Sequence, residues 1–349
     1  MIKNQLTSDL SISTTDGVLS IIQNFNCEVC AIAKSRSANH FHKDIRLADH
    51  KRQRIPGHIV PRGIKRGKAP YEYISIDLKI LNVKAYGGFK IALVIICNFS
   101  EAKYVYGLKV KSDEFFYIKL FLNTVVRAKG FQTHRIQFDR SKEQSSQELF
   151  KYMNDSSIQI LFNPSVDSPQ SNPAEKAIDL IFEVIRVFRQ SSKLPMASWL
   201  LLAQAWCFVD YLLPSTSNPD FLSPFQMIEK SSPSILHLRN IGCRAYVHNP
   251  RTTALQDRAT LAIHVGYSES TGGYKLLTDL LHGHIIESNS VIFHETILGV
   301  ESLSGNVSME EEYDVNLDTS NFHESTDQIH YPFHKTPVIS NYNTRSKNC

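Results

Sequence analysis

Apolar and polar positions along this chain follow two rhythms, and the changes of rhythm divide it. Three short runs come first: "YEYISIDLKI" (71–80), "KIALVIICN" (90–98) and "AKYVYGLKV" (102–110), all dense in Ile, Val and Tyr. Such runs predict strands, and "AYGG" at 85–88 supplies a turn between the first two, so the three form a meander. Residues 112–130 take helical spacing, with Ser112 at the N-cap, acids in the first turn and Gly130 as the stop. "HRIQFD" (134–139) predicts a fourth strand, "SSQELFKYMND" (145–155) a short helix and "IQILFNP" (158–164) a fifth strand. Ala177, Ile181, Val184, Ile185 and Phe188 then return to helical spacing. Three strands followed by helix, strand, helix, strand, helix specify one mixed sheet flanked by helices, an α/β layer architecture.

Further on, "MASWLLLAQAWCFVDYLLP" (196–214) is the longest apolar stretch, but Gln204 and Asp210 interrupt it. It falls short of a membrane span and predicts a buried helix, so no membrane partner is expected. Between 235 and 296 the runs "CRAYVHNP", "LAIHVGYS", "GYKLLTD" and "HIIESNSVIF" are short and separated by turn residues, which predicts a small antiparallel β-unit. The expected units are a segment at 1–33, a linker at 34–68, an α/β domain at 69–230, a β-rich domain at 235–296 and a tail at 297–349. The tail reads as disordered, because residues 301–327 hold eight acids and no Lys or Arg.

Composition changes this picture in two places. The formal net charge of +4 over 349 residues supports no global polycation. Residues 34–68, however, hold eleven Lys or Arg against Asp44 and Asp49, a one-sided charge suited to phosphate backbones. Lys51, Arg52, Arg54, Lys65 and Arg66 are the candidate contacts there; a solvated linker is the plainer alternative. Of six cysteines only Cys27 and Cys30 are close in sequence, which suits a reducing, intracellular setting. Cys97, Cys207 and Cys243 read as small buried hydrophobes, and His134, His237 and His264 as structural. Neither a Gly-rich phosphate loop nor a Ser-His-Asp phrase occurs.

The candidate chemistry is carboxylate chemistry. Asp77 lies in the first strand, Asp139 ends the fourth, and Glu175 starts the helix that follows the fifth. Sheet edges are where α/β folds place reactive groups. Three such carboxylates can hold two Mg²⁺ or Mn²⁺ ions roughly 3.5–4 Å apart, an arrangement that suits in-line transfer at a phosphodiester. Local sequence offers a second reading of Glu175. Asn172 is a good N-cap and Pro173 suits the first helical position, which leaves Glu175 where a capping box closes.

Read together, the phrases resemble the integrase of copia-type LTR retrotransposons and, more distantly, retroviral integrases. That family carries an Asp in its first strand, a second in a phrase like "DNGGEF" and a Glu in "PQQNGVAER". The similar phrases here are "SIDL", "DRSKEQSSQEL" and "SPQSNPAEKA". Downstream, "IRVFRQSSKLPMASWLLLAQAWCFVDYLLP" resembles its basic helix, Leu-Pro and Trp-containing helix, "SPFQMIEKSSPSILHLRNIGCRAYVHNP" the "TP…P…L…FGC.AYV" region that follows, and "LAIHVGYSESTGGYKLL" and "SNSVIFHE" its closing β-unit. The resemblance covers roughly residues 27–296. It implies a ribonuclease-H-like five-stranded sheet and Asp77, Asp139 and Glu175 as the metal-binding triad. It also implies processing and strand transfer of element DNA, a multimer, and a nuclear as well as cytoplasmic setting. RNA is a further expected partner, and Lys176, Arg186 and Arg189, on the Glu175 helix, become candidate DNA contacts.

Several phrases depart from the pattern. The family's zinc module pairs two histidines with a later Cys-x-x-Cys, whereas here "CEVC" (27–30) is preceded by no histidine. His40 and His42 follow in the wrong order, so Cys27 and Cys30 supply two of the four ligands that a zinc site needs. "DRSKEQ" lacks the paired glycines of "DNGGEF", Pro173 stands where the family has glycine, and Lys176 where it has arginine. The alternatives carried forward are an inactive nucleic-acid-binding relic, a truncated or degenerate copy, and a ribonuclease-H-like nuclease without strand transfer.

Overall fold

The computed structural model describes residues 28–33, 66–138, 147–162, 172–250, 253, 255–268 and 272–303. A short helix, α1 (Glu28–Ala33), comes first. Strands β1 (Tyr73–Ile80), β2 (Ile91–Cys97) and β3 (Lys103–Leu108) form the expected antiparallel meander. Strand β4 (Arg135–Phe138) runs parallel to β1, and β5 (Gln159–Phe162) parallel to β4. The spatial order β3-β2-β1-β4-β5 is the mixed, ribonuclease-H-like sheet that the sequence predicts, with β1 at its centre.

Strand parity sorts the side chains into two cores. Ile74 and Ile76 of β1 join Leu93 and Ile95 of β2 on one face, under α2 (Glu114–Phe121) and α3 (Gln147–Asp155). Ala92, Val94 and Ile96 of β2 and Val105 of β3 lie on the other face, under α4 (Pro173–Ser192) and α5 (Trp199–Leu212). With helices on both faces, β2 is buried at every position and needs no alternation. Gly107 in β3 lets α5 approach: a Cβ there would sit 2.4 Å from Leu200 Cδ2 and 2.8 Å from Phe89 Cγ.

The helix predicted over 112–130 is not uniform. A 3₁₀ turn (Lys111–Asp113) leads into α2, and a π segment (Leu122–Val126) and a second 3₁₀ turn (Arg127–Lys129) follow it. The run Thr124-Val125-Val126 is β-branched, and the Thr124 hydroxyl donates back to the Leu120 carbonyl at 2.8 Å, which loosens the regular ladder. The π turn keeps Leu122, Val125 and Val126 buried together. At the start, the Asp113 carboxylate, and not Ser112, accepts the N–H groups of Lys109 and Val110, each at 3.2 Å. Gly130 ends the run at φ 78° as expected.

Helix α6 (Pro224–Glu229) escaped the periodicity reading because it is six residues long. Its signal is a capping box, with Ser223 Oγ accepting from Gln226 N at 3.1 Å and Gln226 Oε1 from Ser223 N at 3.0 Å.

The second sheet is antiparallel throughout: β6 (Cys243–His248), β7 (Ala259–Tyr267), β8 (Tyr274–Leu277), β9 (Ile285–Ser288) and β10 (Val291–Leu298), in the order β10-β6-β7-β8-β9. The run "HIIESNSVIF" therefore supplies two strands, not one. They occupy opposite edges, yet only Asn289 and Ser290 separate them. A link that short reaches about 11 Å, so the sheet must curl until its edges meet, as a small barrel does.

Helix α7 (Gly299–Leu303) follows β10. Ile263, Val265, Leu277 and Val300 of this second unit join the same buried cluster as Leu202, Ala203 and Cys207 of α5. Helix α5 is thus wedged between the two sheets, which explains why it is apolar nearly all round. Its interrupting polar residues are both engaged: Asp210 Oδ2 accepts from the buried Lys103 Nζ at 2.8 Å, and Gln204 Nε2 donates to Val105 O at 3.4 Å. No helix among the described residues is long and apolar enough to cross a membrane.

Candidate metal site and its surroundings

Asp77 stands opposite Val94 in the β1–β2 ladder. Directly opposed residues project to the same face of a sheet, so Asp77 lies on the face that carries α4 and α5. Its carboxylate is half-buried, and Oδ1 accepts the N–H of Leu78 at 2.8 Å.

Glu175 reaches this face through the start of α4. Asn172 caps the helix: its Oδ1 accepts the Ala174 N–H at 3.0 Å. Its Nδ2 donates to the Ile76 carbonyl at 3.2 Å, one residue before Asp77. Pro173 takes the first helical position, where its missing N–H costs nothing and its φ is already helical. Glu175 closes the turn only through its backbone, N–H to Asn172 O at 3.0 Å. Its carboxylate is exposed, and among the described residues it makes no hydrogen bond or ion pair. The capping-box role open to it in the sequence is not taken up. Two oxygen-donor groups on one face, one of them uncommitted, fit a hard divalent cation better than a soft one.

Asp139 lies outside the described residues, one position beyond the end of β4 at Phe138. Among the described residues no group of three or more His, Cys, Asp or Glu is gathered for a metal. Lys51, Arg52, Arg54, Lys65 and Cys27 also lie outside them, as does the side chain of Cys30, whose backbone is in α1.

The remaining candidates divide. Lys176 is exposed beside Glu175, and Arg189 is half-buried. Arg186 Nε donates to the Ala33 carbonyl at 3.0 Å, where a cation satisfies the open end of α1. The Arg66 guanidinium donates to the Ser217 carbonyl and lies 3.4 Å from Asn218 Oδ1, so it fastens the residues ahead of β1 to the loop after α5.

A polar ladder beside Asp77 has no signature in the sequence. Ser75, opposite Gln137 in the β1–β4 register, lies 3.3 Å from Gln137 Oε1 and receives Asn98 Nδ2 at 2.8 Å. The Tyr73 hydroxyl donates to the same Gln137 oxygen, and Arg135 stacks its guanidinium 5.0 Å from the Tyr73 ring centre. Burial pushes the Tyr73 phenol up, against the opposing pull of Arg135. The Lys68 N–H, with further help from Ala69 and Arg135, holds the neighbouring Glu72 carboxyl below its ordinary range. These partners sit 62 to 64 residues apart or 23 apart in the chain, so only the sheet brings them together.

Residues 243–306 match the family model of the retroviral polymerase SH3-like domain, the stretch that forms the curled second sheet. Across 220 residues the chain is 30% identical to the retrovirus-related Pol polyprotein from transposon TNT 1-94 of Nicotiana tabacum. That match takes in 62% of this chain and 16% of the relative, so the chain spans about a sixth of the relative's length. Among solved structures, a chain of the simian T-cell lymphotropic virus intasome in complex with PP2A regulatory subunit B56 gamma is similar at 15% identity. The likeness covers 66% of this chain and 84% of that one with a TM-score of 0.36, a loose superposition; the architecture stands on the strand order itself. The chain is thus similar to a transposon Pol polyprotein over 220 residues, and its second sheet is similar to the retroviral polymerase SH3-like domain.

Proposed function

We propose that this chain is a polynucleotidyl transferase that processes element DNA and joins it to target DNA, with Asp77, Asp139 and Glu175 holding two Mg²⁺ or Mn²⁺ ions. The observation that carries the reading is the tie between β1 and α4. Asn172 joins the start of the Glu175 helix to the β1 backbone next to Asp77, and the Glu175 carboxylate is exposed, with no partner among the described residues. The sequence supports the third member: Asp139 follows Gln137 by two residues as Asp77 follows Ser75, and Ser75 and Gln137 are paired in the β1–β4 register. Bound there, two such ions would activate the attacking hydroxyl and stabilise the leaving oxygen. The residues' part is to hold oxygen ligands on rigid elements, a central strand and a capped helix. Lys176, one residue from Glu175 and exposed, would meet a phosphate in this reading, and the basic stretch 34–68 would add salt-dependent affinity. A multimer on DNA is part of the same proposal. No zinc step is proposed for Cys27 and Cys30.

A specific observation favours a second reading, the binding relic: "DRSKEQ" puts side chains where the family has glycines, next to Asp139. One assay separates the readings. The full chain is incubated with element-end duplex, target plasmid and Mg²⁺ or Mn²⁺, beside Asp77→Asn and Glu175→Gln. Joined product from the parent and none from either variant is the expected result. Nicking without joining indicates the nuclease, and DNA binding with no product indicates the relic.

A further inference from the structure

We propose that Asn172 is a positioning residue for the acidic edge, an inference that rests on the metal-binding reading above. Its carboxamide is used at both ends: Oδ1 terminates the first turn of α4, and Nδ2 grips the β1 backbone at Ile76. The side chain is buried, with the residue 1% exposed, so water does not compete for either bond.

A helix start alone does not require this residue. Ser, Thr and Asp cap about as well. A carboxamide carries its acceptor and its donor on two separate atoms that point apart, whereas a hydroxyl offers both from a single oxygen. Aspartate would keep the cap but turn a second oxygen toward the Ile76 carbonyl. Serine would keep the cap and fall short of β1. The bridge therefore accounts for the residue type where the cap does not. Its mechanical effect is specific. Glu175 changes place relative to Asp77 when α4 rotates about its axis or slides along it, and Asn172 blocks both motions in the turn that holds Glu175. Asn172 touches no reacting atom in this scheme and acts by fixing where the Glu175 ligand stands.

The test uses the full chain and two measurements. Mn²⁺ affinity is read by calorimetric titration, and folding by thermal melting without metal, for Asn172→Ser and Asn172→Asp. Both variants keep the cap acceptor, so melting should stay within a few degrees of the parent. Mn²⁺ affinity should fall about 10- to 100-fold, as it does when an outer residue that orients a ligand is lost. A residue with only a structural role would shift melting and leave the dissociation constant unchanged, which overturns the proposal. Should Asn172→Asp melt early through repulsion at Ile76, Asn172→Ser decides alone. Asp77→Asn and Glu175→Gln serve as controls. If both controls lose Mn²⁺ and the Asn172 variants do not, the positioning role falls while the metal reading stands. If the parent binds no Mn²⁺, or Glu175→Gln binds it equally well, the metal reading fails and takes this inference with it.

Discussion

His264 shows how much one side chain can couple stability to pH. It is completely buried in β7, ringed by Tyr267, Tyr274 and Phe293, with Nδ1 3.1 Å from Asn240 O and Nε2 3.0 Å from Gly266 O. A neutral imidazole donates through one nitrogen only, so one of these two carbonyls faces a lone pair. Protonation would satisfy both, but burial outweighs that gain and pushes the group down to about 4, with Glu295 and Arg239 as the nearby charges of opposite sign. The sign follows from linkage. The unfolded chain takes up a proton near its ordinary pKa of about 6.5, while the folded chain resists until about 4. Folding stability should therefore decline as pH falls from about 6.5 to about 4, by up to about 3 kcal/mol from this residue. Thermal melting between pH 7.5 and 4 should show a shallower decline for His264→Gln than for the parent. Equal slopes would remove His264 from the account.

At the scale of an element, α5 depends on a polar contact inside an apolar helix. Lys103 Nζ is held by Asp210 Oδ2 at 2.8 Å and by the Glu101 carbonyl at 3.1 Å. Burial pushes the ammonium's pKa down, and Asp210 more than reverses this, so its pKa stands above the ordinary lysine range. Stability from the pair is complete below that ordinary range and is lost as pH rises through the raised value. Asp210→Ala leaves the lysine buried without its counter-charge and should cost about 3–5 kcal/mol in urea unfolding. Lys103→Met combined with Asp210→Leu should recover most of that loss; if the double variant is as unstable as the single one, the pair is not the cause.

The same helix marks how far sequence reaches. Its apolar run announces burial, and the strand runs at 71–110 announce the meander, because both signals are local. The partner of Asp210 is not announced, since it lies 107 residues away. The tie from Asn172 to Ile76 spans 96 residues and has no signature beyond an ordinary cap. The π segment was hidden because β-branched residues lower helix propensity without saying how the ladder gives way. The division between β9 and β10 was hidden because "HIIESNSVIF" reads as one run, when Asn289-Ser290 joins the two opposite edges of the sheet.

For the whole molecule, the shared cluster around α5 predicts one cooperative unit rather than two beads. A chain ending at residue 231 would strip Ile263, Val265, Leu277 and Val300 from α5 and leave that apolar flank open to water. Such a fragment should bind a hydrophobic dye and melt earlier than the full chain; melting at the same temperature would show that the sheets are independent. Helix α4 adds a longer connection. At one end Asn172 fixes it beside Asp77. At the other, Ser192 is packed against Gly242 so closely that a Cβ on the glycine would lie 2.1 Å from it, and Lys193 Nζ meets Glu301 Oε1 of α7 at 2.9 Å. Twenty helical residues make a rod about 30 Å long. The rod is a strut pinned at both ends, so the curled sheet braces the turn that carries Glu175 from a helix length away.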